Sequence, residues 1–302
     1  LLLAAVAENV VMATAEQVLA LTQDWHQQLR EAVNAETLLL SVAKQLYEAG
    51  IVWAVLKGAG LAHTVYEHPS LRCFADVDVL IHPAHWKAAV KLLDSQASET
   101  PQVNKFVARY GKGRTVQAGS VELDLHRRLA VGWFGVRCDH RRLLDNPTTF
   151  SVAGQSIPVL SPSAQLVHAS VHFVLGGNPG PRAARDVIVL AANDVVLRDA
   201  FDLAVKCGLA AVLHTAVKTL WHELDLRQSS TVDKVLAYKC SRQERRVLNT
   251  FATETSFRKQ ALTALPALQW YRRPHMLWSL ARLSREHKTQ PSAPPCLCGR
   301  DQ

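Results

Sequence analysis

No apolar run in the 302 residues is long enough to cross a bilayer, and none of the six cysteines, at 73, 138, 207, 240, 296 and 298, forms a C-x-x-C pair. The first absence excludes a membrane-spanning helix. The second excludes the regular spacing of a small disulfide scaffold or a zinc ribbon, and a reducing cytoplasm is the expected setting. Cys296 and Cys298 sit one residue apart in a Pro-rich tail, but no further ligand cluster accompanies them. Leu1 to Val11 is apolar yet has no basic start and carries Glu8, so it is read as neither a signal peptide nor an anchor. Acids are the scarcer charge, 26 Asp and Glu against 34 Lys and Arg, for a net charge of +8. From residue 240 onward eleven cations face four acids, so nearly all of the excess belongs to the C-terminal part. Such clustering favours an anionic partner.

What is present reads as a globular α/β (α+β) chain, 48% hydrophobic. Apolar spacing of three and four predicts opening helices over 14–33 and 36–47, stopped by Gly50. A β-branched strand over 51–56 ends in Lys57-Gly58, and a short helix over 61–66 follows. Residues 75–81 alternate with a period of two, and 84–93 is helical. Strands are expected near 103–107, 115–118 and 121–125 as an antiparallel meander, then a hairpin at 150–152 and 156–160. Ser161-Pro162 opens a helical region, with helices at 162–175, 182–194, 198–206, 209–224, 242–262 and 267–286. The expected division is a small mixed-sheet domain over 1–160, an all-helical domain over 161–288, and a disordered Pro-rich tail over 289–302.

Alternation places Asp76 and Asp78 on one strand face with α-carbons roughly 6.5 to 7 Å apart. Two such acids repel unless a hard cation lies between them, or they are simply solvated. Glu122, Asp124 and His126 share a face of a second strand, so a third carboxylate can converge on the pair. Three acids across two strands can hold two metals that activate a hydroxyl and stabilise a leaving pyrophosphate. Asp76 and Asp78 would bind both ions, and Asp124, with Glu122 as alternate, the one activating the nucleophile. Lys57 could reach a β- or γ-phosphate, and Gly58 would let backbone approach it.

The run Leu56-Lys57-Gly58, then Tyr66, Pro69 and Arg72, then Asp76-Val77-Asp78-Val79-Leu80 and Asp124-Leu125-His126, resembles a poorly characterised bacterial branch of the polymerase-β-like nucleotidyltransferases. Leu160 to His172 and Arg182 to Leu190 extend the resemblance, which covers roughly residues 35 to 195. It implies a small mixed sheet, a divalent-metal site built from the three acids, with Mg²⁺ or Mn²⁺ expected, and a nucleoside triphosphate donor. Better-known relatives carry Gly-Ser or Gly-Gly where this chain has Lys57-Gly58, which leaves the phosphate grip open. His126, Tyr66 and Arg72 are further candidates for holding the nucleotide. Arg72 would either fork onto the triphosphate or pair with one of the acids, and Tyr66 would stack on a base or pack on the sheet.

His168 and His172 lie four apart on a helix face directed at the cleft, without a third zinc ligand in register. Arg182 and Asp186 have the spacing of a surface ion pair, and the resemblance makes Arg185 and Asp186 cleft residues. Trp270, Tyr271, Arg272, Arg273, His275 and Trp278 suit either RNA stacking or an amphipathic helix with buried aromatics. The expected acceptor is anionic, RNA or a biosynthetic peptide, with a protein side chain or a small molecule also open. A non-catalytic nucleotide-binding protein and a kinase-like phosphotransferase are the alternatives to nucleotidyl transfer.

Overall fold

A computed structural model describes residues 2–94, 110–176 and 180–286. The expected strand over 103–107 and the tail over 289–302 lie outside them. Six strands form one mixed sheet in the order β3-β4-β2-β1-β6-β5: β1 Trp53–Val55, β2 Asp76–Ile81, β3 Gly113–Ala118, β4 Val121–His126, β5 Thr148–Val152 and β6 Gln155–Val159. β1 runs antiparallel to β2 and parallel to β6, while β3–β4 and β5–β6 are antiparallel hairpins. Of the expected meander, β3 and β4 pair antiparallel, whereas β4 joins β2 in parallel. The intervening chain, with α4 at Trp86–Leu93, supplies the crossover that a parallel pair requires.

The two sheet faces have different fates because the strands alternate. Val55, Val77, Val79, Ile81, Leu123 and Leu125 pack against α2 (Ala15–Glu48) and α4. The stripe of α2 that covers them, Ala35, Leu39, Val42, Ala43 and Leu46, repeats at helical spacing. Two opening helices were expected, but α2 is one helix of 34 residues, since no Gly or Pro interrupts it. A Thr14–Gln17 capping box starts it. A short helix, α1 Leu2–Ala7, precedes it and was not anticipated.

Ala54, Leu56 and Leu80, on the other face, belong to a large core shared with α5 (Gly132–Arg137), α6 (Pro162–Leu175), α7 (Pro181–Ala191), α8 (Asp194–Cys207), α9 (Ala210–Glu223), α10 (Ser230–Leu236) and α11 (Arg242–Thr253). This core crosses residue 160, the expected domain boundary, without a break. α6 starts where Ser161 accepts a hydrogen bond from the Ala164 amide and Pro162 fills the first turn. The helix expected over 242–262 is two, α11 and α12 (Phe257–Leu262), separated at 254–256. The last helix, α13 Arg273–Glu286, begins one residue before Pro274, because proline is tolerated only in a first turn.

Gly113 shows how tightly the β3–β4 hairpin is built. A Cβ there would lie 1.9 Å from the Leu125 carbonyl oxygen. Gly113→Ala is therefore expected to destabilise the protein by about 1–3 kcal/mol. Gly119→Ala, in the same hairpin, meets nothing within 4 Å and carries only its positive-φ strain. Chemical denaturation of both variants checks the order.

Candidate active site and metal centre

Register decides which acids meet. In the parallel β2–β4 pair Asp76 lies opposite Glu122, Asp78 opposite Asp124, and Leu80 opposite His126. Asp78 is 2% exposed, an environment that excludes an unpartnered carboxylate. Two groups partner it: His126 Nε2 lies 2.8 Å from Oδ1, and the Lys57 ammonium lies 2.9 Å from Oδ2. The same ammonium is 3.0 Å from Asp76 Oδ2, so one lysine bridges the pair. Asp124 is half-buried, and its Oδ1 accepts a hydrogen bond from the Thr115 hydroxyl.

Lys57 is aimed inward by its turn. Gly58 follows at φ +59° with ψ −116°, a conformation open to glycine. The Leu56 amide donates to the Asp78 carbonyl at 3.0 Å, tying the turn to β2. Burial would lower the Lys57 pKa, but the charges of Asp78 and Asp76 override it and raise it above the ordinary lysine value. Burial likewise works to raise Asp78, and the His126 hydrogen bond and the Lys57 charge hold it well below the usual carboxylate range instead. Asp76, partly exposed, goes the other way, raised by burial and by the Asp78 charge.

Asp78, Asp124 and His126 each offer a ligand atom within 4.8 Å of the others, a donor set suited to a divalent cation. His126 Nδ1 is buried and makes no hydrogen bond among the described residues. A cation would use such an atom. Glu122 is exposed and stands outside this group.

The cluster opens into a cavity of about 610 Å³ between the sheet and α6. Lys57, Asp78, Asp124 and His126 line one side, and His168 and His172 line the α6 side. His168 is buried and desolvation drives its pKa far down, so it faces the acids as a neutral imidazole; His172 is at the exposed rim. Lys112, Arg114 and Thr115 come from β3 and the turn before it, and Trp86 and Gln260 close the remaining walls. The Lys112 carbonyl accepts bonds from the Arg127 and Arg128 amides at 3.0 Å, and Arg114 pairs with Asp94 at 2.9 Å. These cavity cations were not singled out from sequence. The alternation Gly111-Lys112-Gly113-Arg114 was the available signal.

Arg72 and Tyr66 correct their expected roles. Arg72 pairs with an acid, but with neither Asp76 nor Asp78: Nε and Nη2 each lie 2.9 Å from an oxygen of Asp186. The Tyr66 hydroxyl donates to Asp186 Oδ1 at 2.6 Å, and the Arg185 guanidinium lies 4.5 Å over the Tyr66 ring. Asp186 is 4% exposed, so the Arg182–Asp186 surface pair does not form. Arg72, Tyr66, Arg182 and Arg185 line a separate hollow toward α1 and α2, not the acid-bearing cavity. The network instead fastens α7 to the segment leading into β2.

The chain falls in the class of nucleotidyltransferases. A family described as "Uncharacterised nucleotidyltransferase" matches residues 1–224, and the chain belongs to it. Comparison with curated proteins returns no match. Among solved structures it is similar to an antigenic nucleotidyltransferase-like protein from Paracoccidioides brasiliensis, at 19% identity and a TM-score of 0.42, over 66% of this chain and 92% of that one. No helix of the described residues is long and apolar enough to cross a membrane.

Two measurements follow. Asp186→Ala would leave the buried Arg72 guanidinium unpaired, a loss of about 3–5 kcal/mol, read as a drop in thermal midpoint. His140 Nε2 accepts a hydrogen bond from the buried Leu129 amide at 3.0 Å, and burial lowers its pKa from 6.5 to about 3. His168 is also shifted down. Because the unfolded chain binds protons that these folded imidazoles refuse, stability is full above pH 6.5 and declines as pH falls toward 3. Denaturant midpoints at pH 7 and pH 5 should show the decline, and His140→Gln should flatten it.

Proposed function

We propose that this protein transfers a nucleoside monophosphate from an NTP to an acceptor and releases pyrophosphate, with Asp76, Asp78 and Asp124 as the acids of the reaction. The observation that carries this is the meeting of Asp78, Asp124 and His126 at the floor of a cavity whose other walls hold Lys112 and Arg114. A divalent ion, Mg²⁺ or Mn²⁺, held there would neutralise phosphate charge and lower the pKa of the attacking hydroxyl. Glu122, exposed, is the weaker candidate for the third acid.

Lys112 would hold the triphosphate, a role expected of Lys57 and Gly58, because Lys57 is already engaged by two carboxylates and Arg114 by Asp94. The neutral His168 adds no cation to that side and leaves the phosphate charge to Lys112. His172, at the open rim, stands where an acceptor would enter.

The acceptor we favour is RNA. Trp270, Tyr271 and Trp278 are 79%, 55% and 60% exposed, beside the exposed Arg272 and Arg273. Buried aromatics were the competing expectation, and exposed ones support stacking on bases. His275 of α13 meets the Tyr110 hydroxyl at 3.0 Å, and Tyr110 adjoins Gly111 of the cavity. The helices after residue 160 would then close one side of the cleft and carry the acceptor. A reducing cytoplasm is the setting we favour, on the irregular spacing of the cysteines in the sequence.

Incubation with α-labelled NTP and RNA should put label in the RNA, whereas γ-label should leave as pyrophosphate. Product carrying γ-label would instead establish phosphotransfer. Asp76→Asn with Asp78→Asn should abolish turnover, and Asp124→Asn should cost at least ~10²-fold, far more than Glu122→Gln.

A further inference from the structure

The sequence reading put two metal ions between three carboxylates, yet the space between Asp76 and Asp78 already contains a cation. Lys57 Nζ is 3.0 Å from one carboxylate and 2.9 Å from the other. Its backbone is held close to the acids: the Leu56–Asp78 backbone bond ties the turn before Gly58 to the strand that bears them. The remaining donors, Asp78, Asp124 and His126, cluster within 4.8 Å without Asp76.

We propose that this site takes one divalent ion, on Asp78, Asp124 and a ring nitrogen of His126, and that the Lys57 ammonium stands permanently where a second ion would bind. The proposal rests on the nucleotidyl-transfer reading for its chemistry, but the ion count can be read without turnover.

Charge balance supports it. Asp76, Asp78 and Asp124 carry three negative charges, which one lysine and one divalent ion neutralise. A second divalent ion beside the ammonium would be repelled by it. Lys112 lines the same cavity and supplies a further cation for the triphosphate. The donor set also bears on the metal. An imidazole nitrogen among oxygens favours Mn²⁺ and later transition ions over Mg²⁺, which is served best by oxygen alone.

The test is electron paramagnetic resonance on the full chain titrated with Mn²⁺ in the presence of a non-hydrolysable NTP analogue. The wild type should bind a single magnetically isolated Mn²⁺ with nitrogen coupling from an imidazole, and a tenfold excess of Mg²⁺ should not displace it. His126→Gln should lose the nitrogen coupling. Lys57→Met should acquire a second ion and the spectrum of a coupled pair. A coupled pair in the wild type, no bound Mn²⁺, or an isolated ion without nitrogen coupling would each overturn the proposal. The wild-type spectrum decides even if Lys57→Met does not fold. One isolated, imidazole-bound ion in a chain that transfers no nucleotide would sink the reaction reading and leave the ion count standing.

Discussion

The site depends on keeping one carboxylate ionised where little water reaches it. Asp78 lies in the middle of the sheet, on the face that the helices cover, and an isolated charge there would cost more than the fold could offset. Lys57 and His126 make it possible, and each arrives by a different route. Lys57 comes from the end of β1 through a turn that needs glycine, and His126 comes from β4 by its parallel register with β2. Removing either element leaves a buried charge short of a partner, so sheet topology and site electrostatics are a single constraint.

The division of the sheet into a dry face and a chemical face follows from the same alternation. Val77 and Val79 pack on α2 because they are apolar and point one way; Asp76 and Asp78 lie on the other face, where both meet Lys57 and Asp78 lines the cavity. Leu80 continues their face into the helical core, so the acids sit where that core gives way to open space. His168 marks the opposite wall. Desolvated and neutral, it contributes surface to the cavity without adding a cation beside Lys57.

Much of this was legible in the residues. Strict alternation in 76–81 and 121–126 located both strands and their shared faces, and Ser161-Pro162 located the start of α6. Pairing direction was not legible, because the same alternation serves parallel and antiparallel partners; parallel pairing brought Asp124, not Glu122, beside Asp78. Long-range ion pairs were invisible for a related reason. Arg72 and Asp186 are 114 positions apart, and four-residue spacing suggested Arg182 as the partner instead. The Lys57 bridge to Asp76 and Asp78 was not anticipated, because a lysine beside a glycine reads as a phosphate ligand when its distance to the acids is unknown. Lys112 and Arg114 escaped notice because two cations at the start of an edge strand look like solvated surface.

The core that crosses residue 160 has a meaning for the chain's history. Leu56, Leu61 and Leu80 of the sheet layer and Leu166, Val187 and Leu213 of the helices occupy one apolar cluster. The helical layer therefore serves as the lid of the sheet, and neither layer can be exchanged for an unrelated module without stripping the other bare. α12 and α13 lie outside that shared cluster, so changes there leave the layer that carries the acids intact.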